Sequence, residues 1–183
     1  MKLVILDRDG VINQDSDDYI KSPEEWIPIE RSLAAIAALS QAGFRVAVAT
    51  NQSGIARGLF DSYTLARIHQ KMCSLTERAG GVVDAVFYCP HGPDEGCHCR
   101  KPEPGLLEEI SREFDVPLQG VPFVGDSLKD LQVAKTSGCI PFLVLTGKGE
   151  QTRASCSEKD LLGVQIVDDL HEAVKRILSL QLQ

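Results

Sequence analysis

The sequence predicts an α/β protein with a doubly wound parallel sheet, and three observations carry that prediction. Short aliphatic runs rich in β-branched residues alternate with stretches of helical periodicity along the chain, which is the pattern of repeated βαβ units. Several of the runs end in acidic or hydroxyl residues next to a glycine, and in a parallel sheet all such ends share one edge. There is no internal repeat or low-complexity linker in the 183 residues. One domain over 1–183 is therefore expected, large enough to bury about 70% of its unfolded surface without covalent staples.

The elements follow in order. Leu3 to Leu6 is an unbroken aliphatic run, suited to a strand buried on both faces. Asp7 and Asp9 stand at its end, and Gly10 lets the chain turn away. From Ser16 to Ile29 the chain is polar, with Pro23 and Pro28. It reads as a loop folded over the strand end, anchored by Trp26. Leu33, Ile36, Ala37 and Leu39 to Ala42 recur at helical spacing up to Gly43, a C-terminal stop. Arg45 to Ala49 gives a second strand ending in Thr50-Asn51-Gln52-Ser53-Gly54. Asp61 caps a helix with Leu65, Ile68, Met72, Leu75 and Ala79 on one face.

Val82 to Tyr88 is the third strand, followed by a Cys/His-rich loop from Cys89 to Cys99. Pro104 opens a helix carrying Leu107, Ile110 and Phe114. Val121 to Val124 is a fourth strand ending in Gly125-Asp126-Ser127, and a helix with Leu128, Leu131 and Ala134 runs to Gly138. Ile140 to Leu145, Gln165 to Val167 and a last helix over Leu170 to Leu180 complete the pattern.

Composition narrows the function. The formal net charge of -7 leaves no basic footprint for nucleic acid or an anionic membrane surface. No apolar run reaches 18 residues, and Met1-Lys2 leads straight into the first strand, so a cytoplasmic protein without a membrane span is expected. In a reducing compartment the six cysteines and four histidines point to metal or core roles rather than disulfides. Cys73 falls in a helix, Cys139 in a strand and Cys156 on a surface loop, while His69 and His171 lie on helices without partner motifs. All five read as ordinary structural residues.

Three strand ends carry complementary groups. The carboxylates of Asp7 and Asp126, with the backbone carbonyl of Asp9, make a hard oxygen site suited to Mg²⁺ and a substrate phosphate. The Thr50 hydroxyl, the Asn51 amide, Arg100 and Lys101 supply donors and cations for the remaining phosphate oxygens. Together they form a phosphoryl-transfer constellation. Gly147-Lys148-Gly149 lacks the flanking glycine and following helix of a P-loop and is set aside.

The stretches DRDGVIN, ATNQSGIARG, CRKP and VGDSLKDLQ resemble, in that order, the four signature motifs of the haloacid dehalogenase (HAD) superfamily. Over the whole chain the resemblance is to its histidinol-phosphatase-like family, which includes phosphatases of heptose bisphosphate and of histidinol phosphate. The resemblance implies that Asp7 is the nucleophile and forms an aspartyl-phosphate. It makes Asp9 the general acid and then the base, and gives Thr50 and Lys101 the task of neutralising the transferring group. Asp7, Asp9 and Asp126 would hold the Mg²⁺. Substrate contacts carry over to Asp15, Ser16, Asp17, Asp18, Thr50, Asn51, Gln52, Ser53, Arg100, Lys101 and Ser127. The substrate implied is a small sugar bisphosphate, the 1,7-bisphosphate of a heptose used in bacterial lipopolysaccharide, dephosphorylated at position 7. Histidinol phosphate is the alternative, and a monomer is expected.

Cys89, His91, Cys97, His98 and Cys99 place five soft donors within eleven positions, enough for a tetrahedral Zn²⁺ site. The family spacing selects Cys89, His91, Cys97 and Cys99 and leaves His98 facing outward. Four protein ligands leave no open position, so such a zinc is structural. Arg100 and Lys101 follow Cys99 directly, so the clamp would fix the loop that presents them.

Only about twenty residues separate Gly10 from the first helix, which leaves no room for a large cap domain. The site is then expected to be open, with substrate held by loops over Asn13 to Asp18, Ser53 to Arg57 and the zinc-clamped segment. A phospho-accepting receiver domain, the rival from another class, carries its acceptor Asp after the third strand. This chain has Cys89 there. A non-catalytic zinc-stabilised module fits poorly with both Asp7 and Asp9 in place.

Overall fold

The structure is a computed structural model and describes residues 1–180. In chain order the elements are β1 (Lys2–Leu6), α1 (Ser32–Gln41), β2 (Phe44–Asn51), α2 (Ser62–Arg78), β3 (Ala85–Cys89), α3 (Gly105–Phe114), β4 (Pro122–Gly125), α4 (Leu128–Thr136), β5 (Ile140–Val144), α5 (Gly149–Ser155), α6 (Glu158–Leu161), β6 (Gln165–Val167) and α7 (Leu170–Leu180). The strands form one parallel sheet in the order β3-β2-β1-β4-β5-β6, the doubly wound arrangement read from the sequence.

The alternation of side chains along β1 builds a core on each face. Val4 and Leu6 join α1, α7 and part of α2 through Ile36, Leu39, Ile68 and Val174. Leu3 and Ile5 meet α3 and α4 through Leu106, Leu107, Ile110 and Val133. The winding reverses between β1 and β4, so the connections leaving their carboxyl ends diverge and open a crevice there. Asp7 and Asp126 stand at that crevice.

The segment after β1 is tied back to the sheet. Gln14 N–H donates to Ile27 O at 2.9 Å, and Ile29 N–H donates to Ile12 O at 2.9 Å. Trp26 is fully buried, and Lys71 Nζ of α2 donates to the carbonyls of Pro23 and Trp26 at 2.6 and 2.8 Å. The folded-back loop expected from its prolines is thus pinned at both ends.

Some boundaries differ from the sequence reading. β3 begins at Ala85 rather than Val82, because Val82 is exposed and the Asp84 carboxylate occupies the Val46 N–H at 2.8 Å, where a ladder bond would otherwise form. β4 is shifted by one residue and β5 ends one residue earlier. On α2 the buried face includes His69 and Thr76, leaves Leu75 half-buried and omits Ala79. The Thr76 hydroxyl is accommodated there by donating to Met72 O at 2.8 Å. Cys139 lies just before β5, not within it, and is buried all the same. The short helices α5 and α6 were not expected, since they carry no apolar periodicity.

Candidate active site

A cavity of about 580 Å³ opens at the carboxyl ends of β1, β2 and β4. Asp7, Asp9 and Asp126 face it, as do Asp15, Ser16, Asp17, Thr50, Asn51, Gln52, Ser53, Arg100, Lys101 and Ser127. Asp18, also expected to contact substrate, does not line it. Its backbone is held in a turn, with its N–H on Ser16 Oγ at 3.1 Å and its carbonyl accepting from Lys21 Nζ at 2.8 Å, and the side chain is exposed. Of the loop over Ser53 to Arg57 only Ser53 reaches the cavity.

At the floor, the carboxylates of Asp7, Asp126 and Asp130 each place an oxygen within 4.8 Å of the others. Lys101 is buried among them, its Nζ 3.0 Å from Asp7 Oδ1, 2.6 Å from Asp130 Oδ1 and 2.7 Å from the Ala49 carbonyl. Burial works against its charge, but Asp130 and Asp7 outweigh burial and raise its pKa. One ammonium does not balance three carboxylates. Burial, and then the Asp130 charge against the partial relief of Lys101, pushes Asp7 up to about 7. Burial with the Asp7 and Asp130 charges pushes Asp126 up to about 8. This convergent, charge-deficient set of hard oxygens fits a divalent cation with oxygen preference.

The fold holds these oxygens tightly. A Cβ added at Gly10, where φ is +80°, would stand 2.0 Å from Asp126 Oδ2. Only glycine permits both the turn and this approach. Asp126 Oδ2 also accepts from Lys148 N–H at 2.8 Å, and its backbone carbonyl accepts from the Thr152 hydroxyl at 2.8 Å.

Asp9 has a different environment two residues away. Burial acts to raise its pKa, but the adjacent Arg8 charge and hydrogen bonds from Asn13 and Gln52 lower it below the usual value. Arg8 is completely buried. Its Nε donates to Asp9 Oδ1 at 3.0 Å and its Nη2 to both carboxylate oxygens at 2.9 and 3.0 Å. Asn13 Nδ2 and Gln52 Nε2 add donors at 2.9 and 3.0 Å. Two aspartates of one strand end are therefore pushed in opposite directions in the metal-free protein, Asp7 up and Asp9 down.

Comparison with known proteins follows this geometry. Residues 98–173 match a family model described as HAD-hydrolase-like. The chain is 56% identical over 179 residues, 98% of this chain and 99% of the other, to the D-glycero-beta-D-manno-heptose-1,7-bisphosphate 7-phosphatase of Bordetella bronchiseptica. To the protein of that name from Pseudomonas aeruginosa it is 53% identical, over 97% of this chain and 98% of the other. The chain belongs to the heptose 1,7-bisphosphate phosphatase family of the HAD superfamily. A crystal structure of the D,D-heptose 1,7-bisphosphate phosphatase from B. bronchiseptica, complexed with magnesium and phosphate, matches with a TM-score of 0.92 at 56% identity, covering 98% of this chain and 99% of that one.

In this family member further polar groups of the cavity come from β2 and the loop after β3. Thr50 is buried, and its Oγ1 accepts from Gln52 Nε2 at 2.9 Å. Asn51 clasps the backbone of Lys101, donating from Nδ2 to its carbonyl and accepting its N–H at Oδ1, both at 3.0 Å. The Asn51 amide thus holds the Lys101 backbone while lining the cavity.

Behind that clasp the sulfurs of Cys89, Cys97 and Cys99 and Nδ1 of His91 lie within 4.8 Å of one another. Cys89 Sγ is 3.1 Å from Cys99 Sγ and 3.6 Å from Cys97 Sγ, and His91 Nδ1 is 3.2 Å from Cys99 Sγ. These edges are close to the roughly 3.8 Å of a tetrahedron with bonds of about 2.3 Å. His98 points away and pairs with Glu108 at 2.9 Å. The Arg100 guanidinium donates to His91 O at 3.2 Å, which joins the cluster to the cavity wall.

Three charged cavity residues escaped the sequence reading. Asp130 pairs with Ser127 in a helix cap, accepting from the Ser127 N–H and hydroxyl at 3.1 and 2.7 Å. That bond occupies the Ser127 hydroxyl expected to meet substrate. The same carboxylate also completes the acidic floor, and its spacing four residues after Asp126 was the available signal. Lys148, set aside with its glycines, lines the cavity and lies 3.4 Å from Asp15 and 3.8 Å from Asp17. Lys129 lies on the cavity wall with Arg100. Burial and then the Arg100 charge lower its pKa.

Proposed function

We propose that this chain is a magnesium-dependent phosphatase that removes the 7-phosphate of D-glycero-β-D-manno-heptose 1,7-bisphosphate through an aspartyl-phosphate at Asp7. The observation that carries the reading is the pairing of Asp7 with Lys101 at the end of β1, with Asp9 in the same cavity. Full-length relatives bearing that name support the substrate. When bound to Asp7, Asp126, Asp130 and the Asp9 carbonyl, Mg²⁺ supplies positive charge for the transferring phosphoryl group.

Asp7 Oδ1 accepts from Arg8 N–H at 2.7 Å and lies beside Lys101, so Oδ2 is the oxygen available to attack phosphorus. Attack forms the Asp7–phosphorus bond and breaks the bond from phosphorus to the sugar oxygen, which takes a proton from Asp9. An anionic phosphate next to Asp9 raises its pKa and so favours the acid form in the complex. Asp9 then takes a proton from water as the water oxygen attacks phosphorus, and Asp7 is released with inorganic phosphate. Thr50 and Lys101 meet the equatorial oxygens.

Further out, among the described residues the Arg100 guanidinium is bonded only to a carbonyl and faces Lys129 as a like charge. Two cations facing each other on one wall favour an anion between them. This arrangement supports a second phosphate on the substrate and argues against histidinol phosphate. The Cys89, His91, Cys97 and Cys99 cluster is read as a structural Zn²⁺ site that steadies Arg100 and Lys101, and residues 1–183 as one cytoplasmic, monomeric domain. Among the described residues no helix is long and apolar enough to cross a membrane.

Phosphate release with Mg²⁺, measured side by side for heptose 1,7-bisphosphate, histidinol phosphate and fructose 1,6-bisphosphate, tests the substrate. The heptose is expected to lead histidinol phosphate in kcat/KM by roughly 10- to 100-fold, the worth of one charged contact. Comparable turnover of histidinol phosphate would overturn the assignment.

A further inference from the structure

His69 stands out as a titratable side chain that the mechanism above does not use. It sits on the inner face of α2 between Leu65 and Met72, is buried, and lies with Nε2 3.2 Å from Arg8 Nη1. A guanidinium nitrogen can only donate. Nε2 is therefore the acceptor, and the ring is neutral with its proton on Nδ1. Burial, followed by the Arg8 charge, pushes its pKa down to about 3, so the ring stays an acceptor at any working pH. The Tyr88 ring lies 6.1 Å away, tilted by 60°.

The consequence passes through Arg8. That side chain belongs to the residue between the two catalytic aspartates and has no exposure to water. Its Nε and Nη2 edge grips Asp9, and Nη1 projects away from that grip toward α2. With His69 removed, the Nη1 proton would be buried without a partner, a cost the guanidinium relieves by rotating and loosening its hold on Asp9. The contacts thus run from a helix side chain 61 residues away in sequence, through Arg8, to the Asp9 carboxylate.

We propose that His69 is a positioning residue for proton transfer, a fixed neutral acceptor that locks Arg8 and through it aims Asp9 into the cavity. The inference rests on the acid/base reading of Asp9 given under Proposed function.

The test compares His69→Leu, which keeps bulk but removes the acceptor, with His69→Gln, whose amide oxygen restores one. An alkyl phosphate and p-nitrophenyl phosphate serve as substrates. His69→Leu is expected to lower kcat on the alkyl phosphate by roughly 10-fold, the worth of one hydrogen bond to a charged group. KM should hardly change, the loss on p-nitrophenyl phosphate should be smaller because its leaving group needs no acid, and His69→Gln should recover most of the rate. Equal losses on both substrates, or no recovery with Gln, would contradict the inference.

Asp9→Asn run in parallel separates the two readings. If it shows the leaving-group dependence and His69→Leu does not, only the role of His69 fails. If Asp9→Asn shows none, the acid/base reading itself fails. Should His69→Leu not fold, ¹⁵N NMR of the unaltered protein decides: Nδ1–H with a bare Nε2 supports the lock, and a proton on Nε2 overturns it.

Discussion

Asp7→Asn is expected to abolish turnover, with a loss of at least roughly 10⁴-fold in kcat, while the protein remains folded. The amide is nearly isosteric, and the Arg8 N–H that Oδ1 accepts at 2.7 Å can still be met by the amide oxygen. An amide is no nucleophile toward phosphorus, however, and it withdraws one carboxylate from the Mg²⁺ floor. It also removes one of the charges that push Asp126 up to about 8, so the metal-free variant should be at least as stable as the parent. Thermal melts and steady-state phosphate release on one preparation check both halves. Activity retained above about one part in a thousand would place the attacking group elsewhere.

Lys101→Met should damage stability and catalysis together. The ammonium is buried between Asp7 and Asp130, and removing one partner of a buried charge cluster typically costs about 3–5 kcal/mol. The sign of the pH dependence follows from the raised carboxylates. Asp7 and Asp126 bind protons in the folded, metal-free protein up to about pH 7 and 8, far above the ordinary carboxylate range near 4. Their contribution is present at low pH and lost as pH rises through those values.

His69 works in the opposite sense, but only below its ordinary value near 6.5, since its folded pKa is about 3. Between pH 6.5 and 8 the metal-free protein should therefore become less stable as pH rises, Lys101→Met more steeply than the parent. Mg²⁺ should flatten the slope by binding the folded state. The same substitution should cut kcat/KM by roughly 10²- to 10³-fold, the loss typical of one preorganised charge-stabilising group. Denaturant unfolding at pH 6.5 and 8, with and without Mg²⁺, reads the stability part, and a variant as stable as the parent at pH 8 would show that Lys101 is not holding the carboxylates together.

Much of this site was legible because a parallel sheet converts sequence order into place. Asp7, Thr50 and Asp126 each follow an aliphatic run, so their convergence at one edge needed only the fold class. The Cys89 to Cys99 cluster was legible from spacing, and Lys101 from its adjacency to it. What was hidden has a common physical origin. Asp130 caps α4 with Ser127, and nothing local in the sequence shows that its second oxygen turns into the site. Gly147-Lys148-Gly149 was set aside for want of a flanking glycine and a following helix, yet α5 begins at Gly149, and the Lys148 N–H serves the Asp126 carboxylate. On α2, His69 occupies an inward position that apolar periodicity assigns to the core, and its partner Arg8 lies on another element. Arg8 itself reads as a spacer between two aspartates. Helices α5 and α6 are short and polar, held by capping such as the Ser157 and Asp160 pair, and leave no periodic trace.

The central claim is that phosphate leaves the sugar by way of Asp7. The stereochemical course at phosphorus tests it most directly, with a substrate whose 7-phosphate is made chiral by oxygen isotopes and sulfur. Each in-line displacement inverts phosphorus, so transfer to Asp7 followed by attack of water gives net retention. Retention is the predicted result. Net inversion would mean that water attacks the substrate in a single step, with Asp7 never bonded to phosphorus.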